Sequence, residues 1–258
     1  FVGSTLGVRG RLRRNERDVV ENFDQYAQAY WEFVPRLSLL AGLRHSQVRF
    51  SSRDFYITAG NPDDSGRRTY SETTPVAGLS FAAREDLSLY VSAGRGFETP
   101  TFNEIGYRAD GGAGLAFDLQ PSISRNVELG AKWHAQSGAH AELALFRANT
   151  DDELAVARNV GGRSSYRNVG SARRQGVELS AGLPLAQDWS LDLAYTYLDA
   201  TFRDSFPICT AAGCNNPTTL VAAGTRIPGT ARNQLNATLG WRHGDWSAQL
   251  DGEGVGDV

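Results

Sequence analysis

Apolar residues recur at every second position through much of the chain. Leu37, Leu39, Ala41 and Leu43 alternate with Ser38, Leu40, Gly42 and Arg44, and Leu87, Leu89, Val91 and Ala93 alternate with Ser88, Tyr90, Ser92 and Gly94. The period returns at Val127, Leu129, Ala131 and Trp133, at Val177, Leu179, Ala181 and Leu183, and at Leu235, Ala237, Leu239 and Trp241. A period of two marks strands with unlike faces. About eleven such segments are predicted, and no amphipathic helix. The second face carries Ser, Gly, Glu, Asn, Arg and Lys, and a dry core would need each charge paired at several kcal/mol. One face therefore suits hydrocarbon and the other water.

The predicted connections alternate in length. Short turns fall at Pro35-Arg36, Ala83 to Asp86, His134 to Gly138, Pro184 to Asp188 and Arg242 to Asp245. Long polar loops lie between them, at Ser51 to Thr69, Glu98 to Gln120, Asp151 to Ser165 and Arg203 to Pro228. In an antiparallel meander this alternation gathers the tight turns at one rim of the sheet and the long loops at the other.

All five tryptophans sit close to a short turn: Trp31, Trp133, Trp189, Trp241 and Trp246. Each shares the parity of its strand's apolar face, as do Phe33 and Phe81. A soluble β-sandwich would place large aromatics in mid-core. A ring of indoles at one rim of an outward apolar face is what a membrane interface selects, because the ring is apolar and its N–H seeks water. A band about 25 Å tall, crossed at about 40°, needs roughly ten residues per strand, and the segments reach that length. The fold class expected is all-β, an antiparallel up-and-down transmembrane β-barrel.

Composition narrows the function. The 258 residues carry a formal net charge of -3, which offers no global basic field, so nucleic acid is not an expected partner. No run of roughly eighteen apolar residues exists, so no membrane helix is predicted. Lys132 is the only lysine, leaving 25 arginines (26 minus 1) among the basic residues. A GC-rich genome accounts for that bias without any functional cause. Phe1 opens on a strand-like stretch and "DGEGVGDV" closes nothing, so the chain is expected to begin and end inside a larger protein.

"LSLYVSAGRGFETPTFNEIGY", Leu87 to Tyr107, joins a regular strand to a Gly, Pro and Asn cluster that marks a membrane exit. The part "GRGFETPTFNEIGY" resembles the strand-to-loop signature of TonB-dependent outer-membrane receptors, Gly-Phe-x-x-Pro-x-x-x-Glu. "YRNVGSARRQGVELS" is similar to their Asn-x-Gly followed by a Gly-x-Glu strand, and "LSLLAGLRHS", "SRNVELGAKW" and "GTRIPGTARNQLNATLGW" match in kind and order. The resemblance runs from about Asp24 to Gly252. It implies a roughly 22-stranded barrel with a globular plug, in the bacterial outer membrane, importing scarce nutrients with energy passed on by TonB. Residues 1–258 show no plug, TonB box or terminal aromatic strand, so the expectation is an incomplete barrel, part of a 22-stranded whole, with plug and final strands elsewhere.

Within that family, "AGRGFETPTFNE", "TDDELAV", "GGRSSYRNVGSARRQGVELS", "YLDATFR" and "IPGTARN" look most like the receptor for pyrroloquinoline quinone, a group also described as probable iron receptors. The expected function is TonB-dependent uptake of that quinone, with a ferric siderophore as the alternative ligand. Expected partners are TonB, outer-membrane lipid and lipopolysaccharide, and a small-molecule ligand. No cofactor is expected.

Candidate chemistry is sparse. Cys209 and Cys214, in "CTAAGC", fit a small-loop disulfide better than a redox pair or zinc half-site, since no histidine lies near. Asp151, Asp152 and Glu153 read as solvated carboxylates rather than a calcium or catalytic group. His45, His134, His140 and His243 are scattered, so an outer-membrane barrel enzyme, the alternative from another class, lacks a base beside a nucleophile; no catalytic residue and no metal ligand is assigned. Arg108, Arg158, Arg163 and Arg226 lie in the long loops, where guanidinium forks suit a polyacidic ligand, lipopolysaccharide phosphates or simple solvation. Tyr107 and Tyr166 are candidates to stack on a planar ligand or to pack their loops.

Overall fold

A computed structural model describes residues 10–12, 14–160, 163–210, 214 and 217–257. Ten long strands form one antiparallel sheet in the order β1-β2-β3-β4-β5-β6-β9-β10-β13-β14. They are β1 (Glu16–Val34), β2 (Leu37–Asp54), β3 (Gly66–Arg84), β4 (Leu87–Glu98), β5 (Ser122–His134), β6 (His140–Asp151), β9 (Ala172–Ala186), β10 (Trp189–Phe202), β13 (Asn233–His243) and β14 (Trp246–Val255). Each long strand pairs with its neighbour in sequence once two small hairpins are set aside. Those hairpins are β7 (Leu154–Val160) with β8 (Arg163–Asn168), and β11 (Phe206–Ile208) with β12 (Thr219–Val221). The hairpins occupy two stretches expected to be irregular loops. A one-turn helix, α1 (Phe102–Ile105), sits in a third.

The register shows how alternation becomes a wall. Trp31 faces Leu39, then Leu79, Val91, Leu129, Leu145, Val177 and Tyr197 across seven successive pairings, one continuous row on one face of the sheet. A parallel row nearer the short turns joins Leu37, Phe81, Leu89, Ala131, Leu143, Leu179, Tyr195 and Leu235. Leu129 is 55% exposed and Leu145 49%, so no described residue packs over this face of the sheet. An apolar surface of this extent has hydrocarbon as its natural solvent.

The opposite face is polar and internally bonded. The Tyr90 hydroxyl donates to Glu128, Lys132 Nζ lies 3.2 Å from Glu142, and the Thr238 hydroxyl donates to Asp251 at 2.8 Å. Strands β1, β2 and β3 are longer than the ten residues a band requires, at 19, 18 and 19 residues. Their extra length lies on the long-loop side, where pairing goes on after the apolar alternation ends. The β3–β4 ladder is an exception: it runs from Arg84↔Leu87 to Val76↔Gly94 and stops where Pro75, which has no N–H to donate, enters β3. Beyond it Arg95 bridges to Glu72 at 3.1 Å.

Among the described residues the buried apolar clusters lie above the band. Phe50 and Tyr70, on β2 and β3, are enclosed by Ile105, Ala116 and Leu119 of the β4–β5 loop, with Phe97, Phe102, Phe117, Leu154 and Tyr166 around them. α1 is held by a reciprocal cap: Thr101 accepts from the Glu104 backbone N–H while the Glu104 carboxylate accepts from the Thr101 N–H. A second cluster, Val169, Ala172, Phe202 and Phe206, underlies the β11–β12 hairpin.

Candidate functional site

The long-loop rim encloses a cavity of about 910 Å³. Tyr107, Arg108, Arg158 and Arg163 line it together with Arg14, Glu16, Asp54 and Asp64. Four segments supply these side chains: the stretch ahead of and into β1, the end of β2 with the β2–β3 loop, the loop after α1, and the β7–β8 hairpin. Four of the six loop residues singled out in the sequence therefore share one space. Arg226 and Tyr166 do not line it. Arg226 donates to the Thr230 carbonyl at 2.7 Å and bridges Thr201, so it pins a different loop. Tyr166, on β8, packs against the Phe50–Ile105 cluster.

The charges in the cavity wall divide into satisfied and unsatisfied sets. Arg108 forks onto Asp110 through Nε at 3.1 Å and Nη2 at 2.8 Å. That contact, with the Gly112 N–H, lowers the Asp110 carboxyl to about 2. Arg14 pairs with Glu16. Asp54 accepts from the backbone N–H groups of Tyr56 (2.8 Å) and Asp64 (3.3 Å), and Asp64 accepts from the Gly114 N–H at 2.7 Å. Among the described residues, Arg158 and Arg163 form no ion pair. The Arg163 guanidinium stands 5.0 Å from the centre of the Tyr107 ring and that of Arg14 5.7 Å, both within cation–π range. Arg158 and Arg163 are thus the two guanidiniums of this wall left free to offer forked donors to an anion, with Tyr107 beside Arg163, while the Asp54 and Asp64 carboxylates share the wall.

The Asn of the Asn-x-Gly motif, Asn168, holds this region together, a role the sequence alone did not assign. The Asn168 side-chain amide donates to the carbonyls of Gln120 (3.0 Å) and Asp152 (2.8 Å), while its Oδ1 accepts from the Gln120 N–H at 2.9 Å. It clips the β4–β5 loop to the start of the next one. Gly170, two residues on, has φ +93, and a Cβ there would come within 2.6 Å of the Asp204 carboxylate, which receives the Ser171 N–H and hydroxyl, each at 2.7 Å. Hence the Asn-x-Gly spacing: the amide ties three segments and the glycine admits Asp204.

The carboxylates of Asp151 and Glu153 are paired rather than simply solvated. Asp151 lies 2.9 Å from Arg125, and Glu153 takes both nitrogens of Arg174, at 2.7 and 3.0 Å, with its own side chain only 13% exposed. Cross-strand neighbours supply these arginines, which linear spacing does not reveal. Cys209 and Cys214 are joined by a disulfide with an S–S distance of 2.11 Å. Among the described residues no group of three or more His, Cys, Asp or Glu side chains is arranged to hold a metal ion.

At the short-turn rim the aromatic side chains stand on the apolar face. Trp189 pairs with Trp241, ring centres 6.4 Å apart, and Trp31 lies 5.5 Å from Phe33. Trp133 donates its indole N–H to Asp86 at 3.1 Å. Phe81 shares the row of Leu37 and Leu89, and Trp246 pairs with His243 next to the last turn.

An uncovered apolar face, a polar opposite face and two unlike rims define a segment of an outer-membrane β-barrel of Gram-negative bacteria. Residues 2–257 match the family described as TonB dependent receptor-like, beta-barrel, and the chain belongs to that family. It is 24% identical over 212 residues to the probable TonB-dependent siderophore receptor PiuA of Acinetobacter baumannii, across 76% of this chain and 26% of that protein. It is 32% identical over 146 residues to the vitamin B12 transporter BtuB of Photobacterium profundum, across 54% of this chain and 22% of that one. Among solved structures, the copper transporter OprC superposes with a TM-score of 0.69 at 19% identity, covering 92% of this chain and 35% of its own, a likeness of fold. The chain spans about a quarter of the length of the curated relatives it matches. These relatives are receptors and transporters rather than enzymes.

Proposed function

We propose that the protein containing this chain is an active importer of a scarce, anionic small molecule, captured at the outer face and moved inward with energy delivered by TonB. The observation that carries the reading is the cavity of about 910 Å³ in whose wall Arg158 and Arg163 form no ion pair among the described residues, with Arg163 over the Tyr107 ring. A ligand bearing two or more carboxylates would complete that wall by charge-assisted hydrogen bonds. In this proposal a plug and the remaining strands come from outside residues 1–258, lipid and lipopolysaccharide surround the barrel, and no covalent chemistry or cofactor is involved.

Pyrroloquinoline quinone, a planar polyacid, meets these demands and is the ligand proposed first. An anionic ferric siderophore is the alternative, supported by the likeness to a probable siderophore receptor. A binding titration of the intact receptor with the quinone and with ferric chelates separates them. Arg158→Gln with Arg163→Gln is expected to weaken the preferred ligand at least tenfold. Unchanged affinity for every acid tested, or uptake that persists in cells without TonB, contradicts the proposal.

A further inference from the structure

Two of the four histidines are brought face to face by the β5–β6 turn at the short-turn rim. His134 closes β5 and His140 opens β6, and they are direct cross-strand partners on the polar face, which they share with Lys132 and Glu142. The His134 backbone N–H donates to the Asp86 carbonyl at 2.9 Å, toward β4 and away from β6. The two histidines therefore form a non-hydrogen-bonded pair, the kind in which opposed side chains stand closest. Their ring centres are 6.3 Å apart and the rings are inclined by 29°. The wall leaves room for this arrangement. A Cβ on Gly182, the partner of His140 on β9, would come within 2.1 Å of the imidazole Cε1, so that ring lies over bare backbone.

Neither ring is used elsewhere. His45 is bonded to Thr73 and His243 to Asp188, both at 2.9 Å, whereas among the described residues no hydrogen bond engages the imidazole of His134 or His140. Both side chains are exposed, and each neutral imidazole keeps one nitrogen able to ligate. With metal–nitrogen bonds of about 2.0–2.1 Å, two imidazoles sharing one ion have ring centres roughly 4.5–6.5 Å apart, so the observed pair needs only a small rotation to converge. The surroundings suit a cation. Lys132 is paired with Glu142 at 3.2 Å, Glu128 and Glu178 add carboxylates to the same face, and the histidine row runs on through Gly182 to Asp192. We propose that His134 and His140 form a site for one divalent transition-metal ion of the copper or zinc type, held by the two imidazoles with water completing its coordination. Imidazole nitrogen suits these ions, whereas calcium and magnesium take oxygen ligands. The inference is independent of which molecule is imported.

The test is a copper(II) titration of the intact receptor, free of any affinity tag, read by electron paramagnetic resonance. One bound ion is expected to show the splitting of two coordinated nitrogens; excess zinc should displace it and millimolar calcium should not. His134→Gln with His140→Gln should lower the stoichiometry by one ion and remove that signal, while His45→Gln with His243→Gln should keep both. Gly182→Ala retains the two histidines but crowds the His140 ring, and should weaken binding about tenfold or more. Folding of each variant is checked by the heat-dependent gel shift of a closed barrel. Unchanged stoichiometry and spectrum in the folded double variant at His134 and His140, full-strength binding by Gly182→Ala, or displacement by calcium overturns the assignment.

Discussion

Leu129 and Leu145 stand side by side on the sheet and remain about half exposed, at 55% and 49%, whereas Phe50 and Ile105, on the long-loop side, are 3% and 0% exposed. The first pair has no protein partner to lose and draws its stability from lipid. The second pair belongs to an ordinary packed core, assembled from two strands and a loop. One sheet therefore crosses two solvents, and the same chemical change should have opposite consequences on either side of the boundary.

The largest effect is expected inside the band. Leu129→Arg places a charge on the lipid face and should destabilise the intact barrel by about 2–4 kcal/mol in a folding titration into lipid vesicles. Ser92→Arg, on the polar face opposite Glu128, should cost less than about 1 kcal/mol. Equal costs at the two positions would erase the distinction between the faces.

Above the band the clip, not the bilayer, should matter. Asn168→Ala removes three hydrogen bonds and is expected to loosen the β4–β5 loop by about 1–3 kcal/mol. Amide exchange at Ala116 and Leu119 should rise about 10- to 100-fold, with the strands below unaffected. Cys209→Ser should destabilise its own loop by about 2 kcal/mol on the loop-entropy account. That change should leave residues 99–121 untouched, since the two loops rest on separate clusters.

The smallest effect concerns pH. Asp110 is held at about 2, below the ordinary carboxylate value, by Arg108. A lowered value means its contribution is complete above about pH 4 and fades as pH falls through about 2. Protection of Gly111 and Gly112, taken relative to the intrinsic exchange rate at each pH, should therefore stay flat down to about pH 4 and be lost only below it. Protection lost near neutrality would mean that the Arg108 contact does not hold the loop.

The same boundary governs what the sequence reveals. Leu87, Leu89, Val91 and Ala93 announce their strand because a lipid face and a wet face differ at every residue. The tight turn at Pro35-Arg36 is as plain, and Arg36 takes φ 70 there. Above the band that contrast fades: Arg67, Thr69, Ser71 and Thr73 of β3 are polar, and the strand is sustained by continued pairing with β2. Hairpins β7–β8 and β11–β12 bury one side against neighbouring loops, so their short runs look like connecting chain. The helix α1 is four residues long and leaves no apolar period, so it falls within a stretch expected to be loop. For the cavity, the arginine-bearing loops were legible, but the sorting into paired Arg108 and unpaired Arg158 and Arg163 depends on contacts made in space.

The most direct test is site-directed spin labelling of the intact receptor in lipid, one label at a time from Arg125 to Trp133 on β5. Oxygen collision rates should peak at positions 127, 129 and 131, and those of a water-soluble nickel chelate at 126, 128 and 130, with opposite phase. In-phase profiles, or labels at 127, 129 and 131 immobilised and shielded from both reagents, would place this face inside protein and contradict the account.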